Sequence, residues 1–293
     1  MENKSICITT DCACDLPEQL LKNNNIDIVY FYIQTDTGNF RDVDEMNSVN
    51  MFDYLQDEDK HVVTKAPSVA DFEAFFSNKL KEYDEVIHIA ISSKVSQCVK
   101  NSSKAAREMK EYGKRIHIVD SWHVSTGLGL LVLHATKLLR SNKEPEEIIS
   151  DIKAMRNIVS TTFLVNSADY LYKNGKIGKN IRWFCNLFHI HPVLKMEKGF
   201  MKLKAIYVGS YEQCTADYIR KELKKSKRIN TEKLFITHAA CSVSDLSYIK
   251  QEIERYVKFD SVDVTKTSAT VAGNCGPGTF GLAFQKKIMT SDL

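Results

Sequence analysis

The chain has 293 residues, 43% of them hydrophobic and 26% charged, with a net charge of +3. Domains usually run to about 100–200 residues, so this length predicts two domains, each with enough apolar material for a core. So small a charge, with no basic stripe, gives no footing for a nucleic-acid binder, which needs many phosphate contacts.

Residues 1–10 carry no apolar signal region, and the longest uncharged stretch, 121–136, is shorter than the roughly 20 apolar residues of a membrane span. Ser121, His123, Ser125, Thr126 and His134 lie within it, so it reads as a buried helix. The expectation is a soluble, cytoplasmic protein without stable membrane insertion. Eight cysteines are scattered along the chain, which predicts reduced thiols rather than a disulfide framework.

In chain order, residues 5–10 form a β-rich run, 11–17 carry turn chemistry, 16–23 read as a helix and 26–34 as a second strand. Phe72, Phe75, Phe76 and Leu80 recur at helical spacing within 69–82. Strand 86–91, helix 96–111, strand 116–119 and helix 127–140 follow. This alternation predicts parallel strands joined by helical crossovers.

The second half reads differently. Residues 145–157 form a helix, 161–165 a β-branched strand, and Gly175 and Gly178 end a short element that begins near 169. Residues 192–196, 200–208 and 234–239 are further strands, and 214–225 and 245–257 are helices. The basic stretch 221–228 reads as the solvated face and end of a helix. With a break near 157–160, the expected domains are 1–157 and 158–293.

Six short segments stand out by order and spacing. They are Thr10-Asp11-Cys12-Ala13-Cys14-Asp15-Leu16-Pro17, Thr64-Lys65-Ala66-Pro67-Ser68, and Ser92-Ser93-Lys94-Val95-Ser96-Gln97-Cys98. Then come Asp120-Ser121 with Ser125, Tyr170-Leu171-Tyr172-Lys173-Asn174-Gly175-Lys176-Ile177, and Gly276-Pro277-Gly278-Thr279-Phe280-Gly281-Leu282. Together the chain closely resembles the DegV family of bacterial fatty-acid-binding proteins, over essentially its whole length.

The resemblance implies an α/β fold of two domains, a parallel-sheet N-terminal domain followed by a C-terminal α/β domain. It implies a buried long-chain fatty acid such as palmitate, stearate or oleate, and no cofactor. It also implies a partner, a fatty acid kinase that phosphorylates the carboxylate and feeds phospholipid synthesis. The chain is then a carrier rather than an enzyme. The family's Thr and the Ser of its Ser-Gly pair contact the carboxylate, and these roles carry over to Thr64 and Ser96. Three positions depart from the family pattern. Gln97 stands where Gly is usual, Lys176 where Arg is usual, and Asn274 where His precedes the Gly-Pro-Gly turn.

The residues themselves are compatible with that reading. The strand 86–91 runs into Ser92 and Ser93, and a helix starts near Ser96. A helix N-terminus offers free N–H groups and a partial positive charge to a carboxylate. A plain N-cap would use the same serine. With the positions that the resemblance implies, the candidate ligand-binding set is Thr64, Ser93, Ser96, Gln97, Lys176 and Asn274. Phe72, Phe75, Phe76, Trp183, Phe184, Leu187 and Phe188 are candidates for an apolar slot, or for ordinary core.

Two other readings compete. Cys12-Ala13-Cys14, and His189-Ile190-His191 with both imidazoles on one strand face, hint at metal. Neither has the further ligands of a zinc site, and His191 before Pro192 reads as a surface strand residue. Asp120, Ser121 and His123 hint at a hydrolase. The chain has no Gly-x-Ser-x-Gly elbow, P-loop or dinucleotide fingerprint, and Gly127-Leu128-Gly129 is a fragment of one inside a helix. Lipid storage or sensing without hand-off to a kinase is the nearest alternative to a carrier.

Overall fold

Strands of the first sheet are buried or half-buried on both faces, as parallel strands covered by helices must be. Ile6–Asp11 (β1), Ile26–Val29 (β2), Glu85–Ala90 (β6) and Ile116–Asp120 (β7) form a parallel sheet in the order β2-β1-β6-β7. The computed structural model describes residues 5–57, 59–110, 112–167, 169–173, 178–180, 185 and 187–287.

The expected strand over 26–34 is in fact two. It breaks after Val29, and Tyr32–Gln34 (β3) joins a separate antiparallel sheet between Asn39–Arg41 (β4) and Val63–Lys65 (β5). The backbone at the break is satisfied elsewhere. The Phe31 N–H donates to Cys12 Sγ, and the Phe31 carbonyl accepts from Asp42 N. Both backbone groups of Phe31 are therefore paired despite the broken ladder.

Glu18–Asn23 (α1) and Ser48–Tyr54 (α2) are short, and Asn47 caps α2 by accepting from Val49 N and Asn50 N. Val69–Lys79 (α3) starts at Ser68, which forms a reciprocal capping box with Asp71. It buries Phe72 and Phe76, and packs beside Cys98–Glu108 (α4).

Ser125–Arg140 (α5) lies between the parallel sheet and the second sheet, touching β1 and β6 on one side and strands of the second sheet on the other. A helix covered on two sides must be apolar nearly all round, which accounts for the uncharged stretch. Gly127 sits against Thr161, and a Cβ on Gly129 would lie 2.7 Å from Leu16. Gly127-Leu128-Gly129 thus serves close helix packing, not phosphate binding. Among the described residues no helix is long and apolar enough to cross a membrane.

Pro145–Met155 (α6) leads into the second sheet. Its strands are Val159–Leu164 (β8), Ile190–Glu197 (β9), Phe200–Val208 (β10), Ile229–His238 (β11), Val262–Lys266 (β12) and Phe280–Lys286 (β13). They run in the order β10-β9-β8-β13-β11-β12, antiparallel except where β12 pairs with β11. The short helix Asp169–Lys173 (α7) follows β8. Tyr211–Leu223 (α8) and Val243–Glu254 (α9) bury Tyr218, Ile219, Leu223, Ile249 and Ile253 against this sheet. Ala269–Cys275 (α10) precedes β13.

A third apolar cluster joins the two halves. Ile33 of β3, Met46, Met51, Phe52 and Leu55 pack on Ala239, Ala269 and Ala272. The small antiparallel sheet and α2 therefore rest on α10.

Candidate ligand-binding site

The site is built where β6 leaves the sheet. Asp11 Oδ2 accepts from Ile91 N at 2.5 Å, and Thr10 Oγ1 donates to the Ile89 carbonyl at 2.7 Å. Buried Ser92 donates its hydroxyl to the Gly199 carbonyl at 2.7 Å, which ties the strand end to the hairpin of the second sheet. Ser93 is exposed. Its N–H and hydroxyl both donate to the Asp120 carboxylate, at 3.2 and 2.5 Å. Asp120 Oδ1 also accepts from Trp122 N, so Asp120 braces the strand end.

Helix α4 starts at Cys98, two residues later than expected, with Gln97 in the N-cap position. Gln97 is exposed and makes no side-chain cap. The serine does the capping, because Ser96 Oγ accepts from Cys98 N at 3.3 Å. An accepting hydroxyl keeps its proton to donate, so Ser96 retains a donor at the helix N-terminus.

Thr64 is the middle residue of β5, half-buried, opposite Ile33. Opposed residues of an antiparallel pair share a face, so Thr64 lies on the face that carries Ile33 into the third apolar cluster. One contact ties its segment to α4. Asn101 Nδ2 donates to the Pro67 carbonyl at 2.7 Å, while Asn101 N donates to the Gln97 carbonyl at 2.8 Å. Asn101 is thus the link between the Thr64-to-Ser68 and Ser92-to-Cys98 segments.

Asn274 is exposed on α10 and donates to the Thr270 carbonyl of its own helix at 2.8 Å. The turn after it requires glycine. Gly276 has φ +80°, and a Cβ there would lie 2.7 Å from the Tyr170 ring. Gly278 has φ +78° and faces the Asn166 side chain. The Tyr170 ring in turn meets Phe52 edge-on at 5.6 Å. Lys176, Trp183 and Phe184 lie outside the described residues.

Two carboxylates that the sequence did not single out hold α10 in place. Asp15 accepts from Ser125 Oγ at 2.5 Å and from Ser268 N at 2.8 Å. Asp42 accepts from Ala269 N at 2.7 Å and Thr270 N at 2.8 Å. Burial pushes the Asp15 carboxyl up to about 7, against the hydrogen bonds that favour its charge. Burial raises Asp42 as well. The hydroxyl of Thr267 is buried beside this clasp, with no hydrogen-bond partner among the described residues. Asp15 falls inside a quoted motif but reads there as a turn residue, and nothing local marks Asp42.

Phe72 and Phe76 are fully buried, with ring centroids 5.3 and 5.6 Å from His88 in β6. Half-buried Phe75 also packs there, at 6.5 Å. These three form core around His88. Leu187 and Phe188 are exposed.

The metal and hydrolase hints resolve into packing. Cys12 and Cys14 are buried in a single 3-10 turn, and burial raises both thiols. Their low reactivity fits a turn packed on the core. His189 precedes β9 with φ +48°, so it does not share a strand face with His191. His191 is buried, not a surface residue, and its ring lies 5.5 Å from Tyr211. The buried Asp42 and Asp15 make no metal cluster, since no group of three or more metal-ligating side chains occurs among the described residues. His123 is bonded through its ring to Thr161 Oγ1 and the Arg156 carbonyl, each at 2.9 Å, whereas Ser121 Oγ engages the His123 backbone, donating to its carbonyl and accepting from its N–H, each at 3.1 Å. No Ser-His dyad forms there. Burial lowers His123 to about 4, so the ring is neutral at pH 7.

A family model described as "Uncharacterised protein, DegV family" matches residues 5–287. A DegV domain-containing protein of Caldanaerobacter subterraneus is 28% identical over 294 aligned positions, covering 97% of this chain and all of that protein. A DegV family protein from Thermus thermophilus, described as fatty acid binding, superposes with a TM-score of 0.84 at 24% identity, covering 96% of this chain and 99% of its own. One from Eubacterium eligens, loaded with heptadecanoic acid, has a TM-score of 0.83 at 18% identity, covering 97% of this chain and 100% of its own.

Proposed function

This chain belongs to the DegV family, and on that premise we propose that it binds one long-chain fatty acid and presents the carboxylate to a fatty acid kinase. The carboxylate sits between Thr64 and Ser96, with the α4 N-terminus behind it, and the acyl chain lies in a buried apolar tunnel. Ser93, Gln97, Lys176 and Asn274 surround the head group. Palmitate, stearate and oleate are the expected ligands. The chain is a non-catalytic carrier in the cytoplasm, divided into domains 1–157 and 158–293, and the kinase carries out the phosphorylation that leads to phospholipid synthesis.

The observation that carries this reading is the Asn101 contact. It fastens the segment that follows Thr64 to the first turn of the helix that starts behind Ser96, which supports one head-group site served by both segments. The bound acids of the structural neighbours support the ligand class. The energetics agree with an apolar tail in command. Each buried methylene contributes about 0.8 kcal/mol, so roughly 15 of them give on the order of 12 kcal/mol before ordering costs. Charge-assisted hydrogen bonds of about 1–3 kcal/mol each then set orientation.

The test has two stages. Delipidated protein is titrated with a long-chain acid and with its methyl ester, which keeps the tail and loses the charge. The loaded protein is then mixed with ATP and a bacterial fatty acid kinase, and acyl phosphate is measured. Preference for the acid and acyl phosphate formation support the carrier. Binding without acyl phosphate formation assigns storage or sensing instead.

A further inference from the structure

The far edge of the second sheet carries features that the acyl site does not use. β10 is the terminal strand, and among the described residues it pairs only with β9. Alternate N–H and C=O groups along its outer side are therefore open to another strand. This edge runs for nine residues. Its blunting features, a bulge at Lys204 and the charges of Lys202 and Lys204, are offset by ion pairs to Glu197 and Glu222.

Its two faces differ in chemistry. Met201, Leu203, Ile206 and Val208 stand opposite Met196, Leu194, Pro192 and Ile190. Met196 and Leu194 pack into the first core, so all four β10 side chains share the sheet face turned that way. The register shift between Leu203 and Ala205 makes this possible, because the extra residue Lys204 returns the apolar positions to one face. Those side chains are 44%, 56%, 55% and 66% exposed.

The other face is basic. Tyr207 packs towards α8 and, with Asp217, Arg220, Lys221 and Lys224, lines a cavity of about 480 Å3. Asp217 is engaged by Arg220, and Glu222 by Lys204. Lys221 and Lys224 make no ion pair among the described residues. Positive charge is left over beside the edge.

We propose that β10 is a docking edge for an extended segment of another protein, with acidic and apolar side chains alternating. Such a segment adds as a strand, laying its apolar residues along Met201 to Val208 and its carboxylates towards Lys221 and Lys224. Strand addition supplies affinity through the backbone and specificity through alternate side chains. A second copy of this chain fits less well, since a two-fold axis would set the same lysines against each other.

The test uses the full chain and a fluorescein-labelled nonapeptide of alternating valine and glutamate, followed by anisotropy. A valine–lysine peptide of equal length is the control. The glutamate peptide should bind at least about tenfold more tightly than the lysine peptide. Ile206→Lys, and separately Lys221→Glu with Lys224→Glu, should each weaken it by about tenfold or more, with thermal unfolding unchanged. Equal binding of the two peptides, or indifference to both sets of substitutions, overturns the proposal. So does a dimer that Ile206→Lys dissociates, which assigns the edge to a second copy. Adsorption to anionic phosphatidylglycerol vesicles without peptide binding also overturns it, and assigns the face to a lipid surface.

Discussion

Asn101 and Pro67 meet across 2.7 Å, the side-chain amide of one donating to the carbonyl of the other. This contact fixes the loop after Thr64 to the first turn of the helix behind Ser96. Asn101→Ala removes the donor without touching either hydroxyl. We predict that acid affinity falls several-fold while stability falls by about 0.5–1.5 kcal/mol, the net worth of one such hydrogen bond. Calorimetric titration and urea unfolding check the two numbers separately.

Ser96→Ala should weaken acid binding by about 1–3 kcal/mol, and Thr64→Val similarly. The double variant should lose less than the sum, because both hydroxyls serve one carboxylate. Ser96 also accepts from Cys98 N, so Ser96→Ala should cost a further ~0.5–2 kcal/mol in folding stability. Thr64→Val should leave folding stability nearly unchanged. Titration of each variant with acid and methyl ester separates head-group loss from tail loss, since only acid binding should suffer. Asn274→His should at least preserve binding if Asn274 takes the place of the family's histidine.

Two of the contributions to the pH dependence of stability oppose each other. Asp15 is held up to about 7 by burial, above its ordinary value of 3.8. The native state then binds more protons than the unfolded chain, so this term lowers stability as pH rises from about 4 to 7. His123 is held down to about 4 by burial, below its ordinary 6.5. Its term raises stability as pH rises over about 4 to 6.5. Asp15→Asn mimics the neutral acid, and should make the slope of stability against pH more positive across that window. His123→Gln should make it more negative. Urea midpoints at intervals from pH 4 to pH 8 measure both slopes, and unaltered slopes in the variants would contradict these assignments.

Gly276→Ala tests the turn before β13. A left-handed φ of +80° and a Cβ 2.7 Å from the Tyr170 ring both oppose a side chain. We predict a loss of about 1–3 kcal/mol, read from urea unfolding. A loss below about 0.5 kcal/mol, the range of an ordinary surface substitution, would show that the turn relaxes freely.

Periodicity carries the main elements. The alternating segments of the first half do form a parallel sheet, because buried strands and amphipathic helices write their period into the chain. Short pieces do not. Asn39–Arg41, Val63–Lys65 and Ala269–Cys275 are too brief to show a period, and their places are set by contacts far along the chain. The break at Tyr30 and Phe31 depends on Cys12 and Asp42, which no local pattern links. At the candidate site, motif order marks Thr64 and Ser96. Asn101, Asp15 and Asp42 act through partners 34, 253 and 227 residues away, so local sequence could not assign their roles. His191 misleads for the same reason, since Tyr211 of α8 contributes to burying a ring that the strand alone would leave outside.

Native mass spectrometry of the purified chain, alongside its Thr64→Val, Ser96→Ala double variant, tests fatty acid binding and its site together. Each wild-type molecule should carry one long-chain fatty acid, removable by organic solvent and restored by added acid in preference to methyl ester. The double variant should retain little acid and should not distinguish acid from ester. A wild-type protein that neither carries nor takes up a long-chain acid would contradict fatty acid binding. A double variant that binds the acid as tightly and as selectively as wild type would contradict the site.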